Sequence, residues 1–140
     1  MIVKSGSAEW RGTLRDGTGQ LSTESGALTA APYSFATRFD GKHGTNPEEL
    51  IGAAHAACFS MAFANMLSEA GIGGVTVTTT AKVSMDKRPG GMEVVSSALT
   101  THVKADGDAA RVREIAEAAK AGCPISKLLR ADITLDLTVG

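Results

Sequence analysis

The sequence predicts an α+β fold, and three features carry that prediction. An apolar segment free of charged residues, Leu50–Leu67, occupies the middle of the chain. Period-two alternation follows it, first over residues 75–85 and again over 133–139. Strand-like and helix-like stretches come in runs instead of alternating one for one, the pattern of α+β and not of α/β. The order along the chain is an N-terminal β-meander, a long central buried helix, then a second sheet with further helices, in a single domain covering residues 1–140. That length is enough for a real core.

Each element has a local reason. Asp16-Gly17 lies between SAEWRGTLR and TGQLSTES and reads as a turn dipeptide joining two strands. A third extended piece is expected after Gly26, running towards Phe35, and FDGKHGTNP (residues 39–47) has the Gly, Asn and Pro content of a loop. The central helix starts with clear signals: Asn46 as N-cap, Pro47 at the first helical position and Glu49 at the third, where it can close a capping box. Gly71 is placed to end it in the left-handed conformation.

From Val75 to Met85 every second residue is apolar or Thr, which predicts a strand with one buried face. Arg88-Pro89-Gly90-Gly91 is a turn, and the next strand sets Val95, Leu99 and Val103 on one face with Ser97 and Thr101 between them. Asp108 can cap a second helix whose Val112, Ile115, Ala116 and Ala119 follow helical spacing. Gly122 ends it, Pro124 opens a short helix carrying Ile125, Leu128 and Leu129, and Ile133, Leu135, Leu137 and Val139 alternate in a final strand.

Composition narrows the function. Charged residues are 21% of the chain and the net charge is −1, so nothing in the electrostatics points to nucleic acid or an anionic membrane as partner. Aromatic residues are only 4%, and a core of small residues lets elements approach closely and favours self-association. Leu50–Leu67 is long enough to span a bilayer. His55, Ser60 and Asn65 interrupt it, and its flanks carry Glu48, Glu49 and Glu69 instead of Lys or Arg, so a buried core helix is the expectation. MIVKSGSAEWRG has no apolar run of signal-peptide length, and a cytoplasmic location is expected. Two cysteines in such a setting are free, metal-bound or redox-active more often than a permanent staple.

Four residues invite chemistry. Cys58 lies more than two turns inside the central helix, where apolar neighbours raise a thiol's pKa and the N-terminal dipole is out of reach; it is inert packing unless a cation is brought to it. Arg38, just before the loop, is either a solvated side chain or a guanidinium that favours the thiolate and hydrogen-bonds an incoming oxygen. Cys123 sits between Gly122 and Pro124 at the N-cap of the short helix, where free N–H groups favour a thiolate; its bland reading is a small residue in a tight turn. His55 shares a helix face with Cys58 at i, i+3, but His55, Cys58 and Cys123 make an incomplete zinc site, because His43 and His102 have no ligand-like spacing.

The run TRFDGKHGTNPEELIGAAHAACFSMAFANML, followed later by GCPISKLL, closely resembles the OsmC/Ohr family of osmotically inducible and organic hydroperoxide resistance proteins. The longer N-terminal region GTLRDGTGQLSTESGALTAAPYSFATRF and the AAHAACF motif resemble the OsmC branch. The resemblance covers nearly the whole chain. It implies an OsmC-like fold, an intertwined homodimer with two active sites at the subunit interface, and a thiol peroxidase acting on organic hydroperoxides without metal or organic cofactor. Carried over by position, Cys58 matches the peroxidatic cysteine and Cys123 the resolving one. Arg38 matches the arginine that activates the thiolate, and Glu48 the glutamate that orients it. An external dithiol, by family analogy lipoyl-type, restores both thiols.

Helix geometry adds a constraint. Ten residues of α-helix separate Glu48 from Cys58 by about 15 Å along the axis. Either the chain is not yet helical at Glu48, or Glu48 serves the partner subunit's site; the second is favoured, and with it an Arg38–Glu48 contact between chains. An alkyl or acyl substrate needs an apolar pocket, for which Phe59, Met61, Phe63 and Ile125 are wall candidates or plain core. Two other functions compete: a non-catalytic carrier using that pocket, and a thiol sensor or metal protein built on Cys58, His55 and Cys123.

Overall fold

The computed structural model describes residues 1–140. Its elements in chain order are β1 (Gly6–Arg11), β2 (Thr18–Thr23), β3 (Ala31–Tyr33), α1 (Phe35–Phe39), α2 (Pro47–Glu69), β4 (Thr76–Arg88), β5 (Gly91–Lys104), α3 (Ala109–Gly122), α4 (Pro124–Leu128) and β6 (Asp132–Val139). The chain is α+β with two three-stranded sheets, and it forms two compact units, Met1–Leu50 and Ile51–Gly140.

The first unit is the expected meander, an antiparallel sheet in the order β1-β2-β3. Its first connection differs from the Asp16-Gly17 turn. Pairing ends at Arg11↔Thr18, so residues 12–17 form a longer loop. Gly12 turns the backbone at φ +96, the Gly17 N–H donates to the Thr13 carbonyl at 2.8 Å, and the Trp10 indole N–H donates to the Gly12 carbonyl at 3.1 Å. Gly17 is buried in this knot: a β-carbon there would collide with the carbonyl oxygens of Thr13 and Arg11 and with Trp10 Nε1. Gly17→Ala is therefore expected to destabilise the protein by about 1–3 kcal/mol, read as a lower urea midpoint. Exposed Asp16→Ala should stay within about 0.5 kcal/mol.

A short helix, α1, precedes the segment read as loop and takes only its first residue, Phe39. Ser34 caps α1 through a reciprocal box, Thr37 N–H donating to Ser34 Oγ at 3.3 Å and Ser34 N–H to Thr37 Oγ1 at 2.9 Å. The loop proper starts at Asp40, the C-cap residue.

α2 begins and ends as its residues dictate. Asn46 Oδ1 accepts from the Glu49 N–H at 2.8 Å, the first half of the expected box. At the other end Gly71 takes φ +76, while Ile72 N–H donates to Leu67 O at 2.9 Å and Gly71 N–H to Ser68 O at 3.0 Å, a Schellman motif. Gly52, His55, Phe59, Phe63 and Leu67 form its buried face. The helix is long and apolar enough to span a membrane by length and composition, but that face lies in the protein core.

The second sheet runs β4-β5-β6, with β4 and β5 antiparallel around Pro89-Gly90 and β6 parallel to β5 from Ser96↔Asp132 to Val103↔Val139. A parallel pair requires a crossover, which α3 and α4 supply. Val95 is the extra residue of a bulge opposite Ser84/Met85. The core joins Phe59, Phe63 and Leu67 of α2 to Leu99 and Val103 of β5 and to the expected Val112, Ile115, Ala116 and Ala119 face of α3. Polar residues inside it are paired: Ser60 Oγ donates to Thr79 Oγ1 at 2.8 Å, which meets Thr101 Oγ1 at 3.0 Å. Of the three residues expected in the short helix, Ile125 and Leu128 lie in α4 and Leu129 is its C-cap; Leu128 is exposed. None of the core side chains belongs to Met1–Leu50.

Candidate active site

In the second unit α2 delivers Cys58, and the α3–α4 junction delivers Cys123. Both are free thiols, and their sulfurs lie 2.8 Å apart. Cys123 is fully buried, while Cys58 is partly open. The two environments pull the thiols in opposite directions. Burial pushes the Cys58 thiol above its ordinary value, and sharing its proton with Cys123 pushes it further. Burial acts upward on Cys123 as well, but the neighbouring Cys58 thiol and the polar groups of Ser126 and Ile125 at the start of α4 outweigh it and bring Cys123 below the ordinary thiol value. Both directions agree with the sequence: an apolar helix interior for Cys58, an N-cap for Cys123.

His55 does not complete a metal site. It is fully buried, with Nδ1 at 2.7 Å from Ser97 Oγ and Nε2 at 2.8 Å from Ser126 Oγ, so both ring nitrogens are engaged by hydroxyls. Burial holds its pKa below the ordinary 6.5, which keeps the imidazole neutral. Ser97 and Ser126 were not singled out as site residues by the sequence. The available signal was a serine at an inward register position of β5 and another three residues after Cys123.

In the first unit α1 carries Arg38 back to Glu48. The guanidinium grips the carboxylate with two nitrogens: Nε at 3.0 and 3.2 Å from Oε1 and Oε2, and Nη2 at 2.7 Å from Oε1. The Glu48 side chain is 14% exposed, so this pair is shielded more than a surface ion pair. The contact lies within one chain, which corrects the expectation of an Arg38–Glu48 contact between chains. α1, the helix that periodicity could not resolve, makes the return possible. α2 is helical from Pro47, so of the two alternatives the one in which the chain is not yet helical at Glu48 is removed.

Beside Arg38, in the same unit, Trp10, Leu14, Tyr33, Phe35 and Phe39 line a cleft of about 220 Å³. Arg15 stacks over Phe35 at 4.6 Å and Arg38 over Phe39 at 5.2 Å. Of the four wall candidates named from sequence, Phe59 and Phe63 are core, Met61 is 78% exposed, and Ile125 is half-buried at the core's edge. The structure thus joins Cys58 to Cys123 and Arg38 to Glu48, each pair within its own unit.

The family model for OsmC-like protein matches residues 39–138. This chain belongs to the OsmC family. This chain is 54% identical over 136 residues to peroxiredoxin OsmC of Escherichia coli (strain K12), covering 96% of this chain and 95% of that protein. It is 30% identical over 128 residues to the organic hydroperoxide resistance protein OhrB of Bacillus subtilis (strain 168), covering 89% and 92%. The crystal structure of Bacillus subtilis OhrB superposes with a TM-score of 0.71 at 28% identity, covering 96% of this chain and 98% of the other. Similarity of sequence therefore places it in the OsmC branch, and similarity of fold extends to the Ohr proteins.

Proposed function

We propose that this protein is a two-cysteine peroxidase that reduces organic hydroperoxides to alcohols. The observation that carries the reading is the Cys58–Cys123 approach of 2.8 Å in a largely apolar setting, in a chain 54% identical to a peroxiredoxin. The Cys58 thiolate attacks the terminal peroxide oxygen; the O–O bond breaks, the alkoxide leaves and takes up a proton, and Cys58 becomes a sulfenic acid. Cys123 attacks that sulfur, forming the disulfide and releasing water. An external dithiol, of lipoyl type by family resemblance, then reduces the disulfide by exchange.

Cys58 needs a cation, since its own surroundings raise its pKa. We assign that cation to Arg38, oriented by Glu48, and place the pair at the Cys58 of a second subunit. Two features support a homodimer. The sheet of Met1–Leu50 buries no core of its own, and a three-stranded sheet needs a packed face to be stable. α2 is apolar on its outer side too, where Met61 is 78% exposed. In this reading the aromatic cleft beside Arg38 seats the organic part of the hydroperoxide. Both units act as one functional domain, and free thiols fit a cytoplasmic location.

The test is a single turnover. One equivalent of cumene hydroperoxide added to the reduced protein is expected to yield the Cys58–Cys123 disulfide, read by mass spectrometry of non-reduced peptides, together with one equivalent of alcohol. Thiols left unchanged while the peroxide persists would defeat the reading.

A further inference from the structure

Two polar side-chain contacts tie α2 to α4 and its N-cap, and the cysteine pair is only one of them. Cys58 meets Cys123 at 2.8 Å, and His55 Nε2 meets Ser126 Oγ at 2.8 Å. The spacing is the same on both elements. His55 precedes Cys58 by three residues in α2, and Ser126 follows Cys123 by three at the start of α4. Residues three apart on a helix are neighbours on one face, so the two contacts lie side by side.

α4 has little else to fasten it there. It lasts five residues, too short to persist as a helix by itself. Leu128 is exposed, Ile125 reaches only the core's edge, and Ser126 is the one buried side chain of α4. Its start is anchored to the end of α3, where the Cys123 N–H donates to the Ala119 carbonyl at 2.9 Å. Burying a serine hydroxyl brings hardly any hydrophobic gain and costs stability without a partner. His55 is that partner, and its Nδ1 lies 2.7 Å from Ser97 Oγ of β5. A neutral imidazole has one donor and one acceptor nitrogen, and each hydroxyl can take either role, so the buried trio is satisfied.

We infer that the His55–Ser126 hydrogen bond is a clamp that seats α4 on α2 and sets the approach of Cys123 to Cys58. The inference rests on the peroxidase reading and assigns positioning residues to its second step. In that step the Cys123 sulfur attacks the Cys58 sulfenic sulfur. The S–S bond forms, the S–O bond breaks, and the hydroxide leaves as water with the thiol proton of Cys123. The sulfurs must close from 2.8 Å to about 2.0 Å. A single contact is a pivot about which α4 can turn, and a second contact beside it removes that freedom. Reactants held close to the reacting geometry react faster, because the entropy of orientation is already lost. His55 and Ser126 touch neither the peroxide nor the leaving hydroxide; they act through the helices that carry the two cysteines.

Rapid mixing of the reduced full-length protein with cumene hydroperoxide separates the two steps, with dimedone trapping for the sulfenic acid and non-reduced mass spectrometry for the disulfide. In Ser126→Ala the disulfide step is expected to slow about tenfold more than the sulfenic acid step, the worth of one hydrogen bond. His55→Leu should do the same, and it carries the test if Ser126→Ala does not fold. The two changes together should slow the disulfide step no further than either alone, because both remove the same bond. Ser60→Ala is the control. It takes from α2 the 2.8 Å bond to Thr79 of β4 and leaves α4 untouched. It should lower the urea midpoint and leave the ratio of the two rates unchanged. Disulfide formation in Ser126→Ala at the wild-type rate, an equal slowing of both steps, or the same change of ratio in Ser60→Ala overturns the clamp alone. A wild-type protein that forms no disulfide brings down the peroxidase reading, and the clamp with it.

Discussion

Cys58→Ser is expected to lower peroxide turnover by about three orders of magnitude or more, with dihydrolipoamide as reductant and cumene hydroperoxide as substrate. A serine hydroxyl is scarcely ionised at neutral pH and cannot pass through a sulfenic acid, so both electrons of the reaction lose their source. The change is nearly isosteric at a position only partly buried, so the fold should hold and the loss should be chemical. Cys123→Ser should behave differently: it reduces one equivalent of peroxide and then accumulates sulfenic acid on Cys58. Equal turnover in the wild type and Cys58→Ser would remove the mechanism, and so would a Cys123→Ser protein that cannot consume the first equivalent.

The second large effect concerns Arg38. At the ordinary thiol value of 9.0, only about 1% of Cys58 would be ionised at pH 7, and burial lowers that fraction further. Arg38→Ala should therefore depress turnover about a hundredfold at pH 7 and recover part of it as pH rises, because alkali then supplies the thiolate that the guanidinium no longer favours. Glu48→Gln should fall in the same direction by less, since it loosens the grip on Arg38 that its 2.7 and 3.0 Å bonds now provide. If Arg38 serves the other subunit's cysteine, mixing inactive Arg38→Ala with inactive Cys58→Ser restores activity. Half of freely exchanged dimers would be mixed, each with one intact site of two, giving about a quarter of the wild-type rate. No recovery after proven subunit exchange would return Arg38 to its own chain's cysteine.

What the sequence made legible was what local chemistry decides. Asn46, Pro47 and Gly71 marked the ends of α2, and alternation marked β4 and β6, because caps and side-chain period are properties of a few adjacent residues. α1 escaped because five residues carry too little periodicity; the Ser34…Thr37 box was its one signal. The 12–17 loop escaped because its shape comes from contacts of Trp10 and Thr13 with Gly12 and Gly17. At the site, spacing and resemblance named Cys58, Cys123, Arg38 and Glu48. The Arg38–Glu48 contact was assigned to two chains because the return made by α1 was invisible. The His55–Ser126 contact spans 71 residues of sequence, and no local pattern encodes a pair that distant.

The parallel pairing of β5 with β6 bears on how the protein comes into being. Cys123 lies within the crossover between those strands, ahead of the last strand, Asp132–Val139, which pairs alongside Ser96–Val103. Such long-range parallel pairing closes late and slowly in folding. During synthesis the nascent chain would hold Cys58 well before Cys123 is in place, an interval in which, on the proposed mechanism, an oxidised Cys58 would have no resolving partner. On the proposed mechanism, a chain still folding would therefore meet oxidants before its cysteine pair is complete.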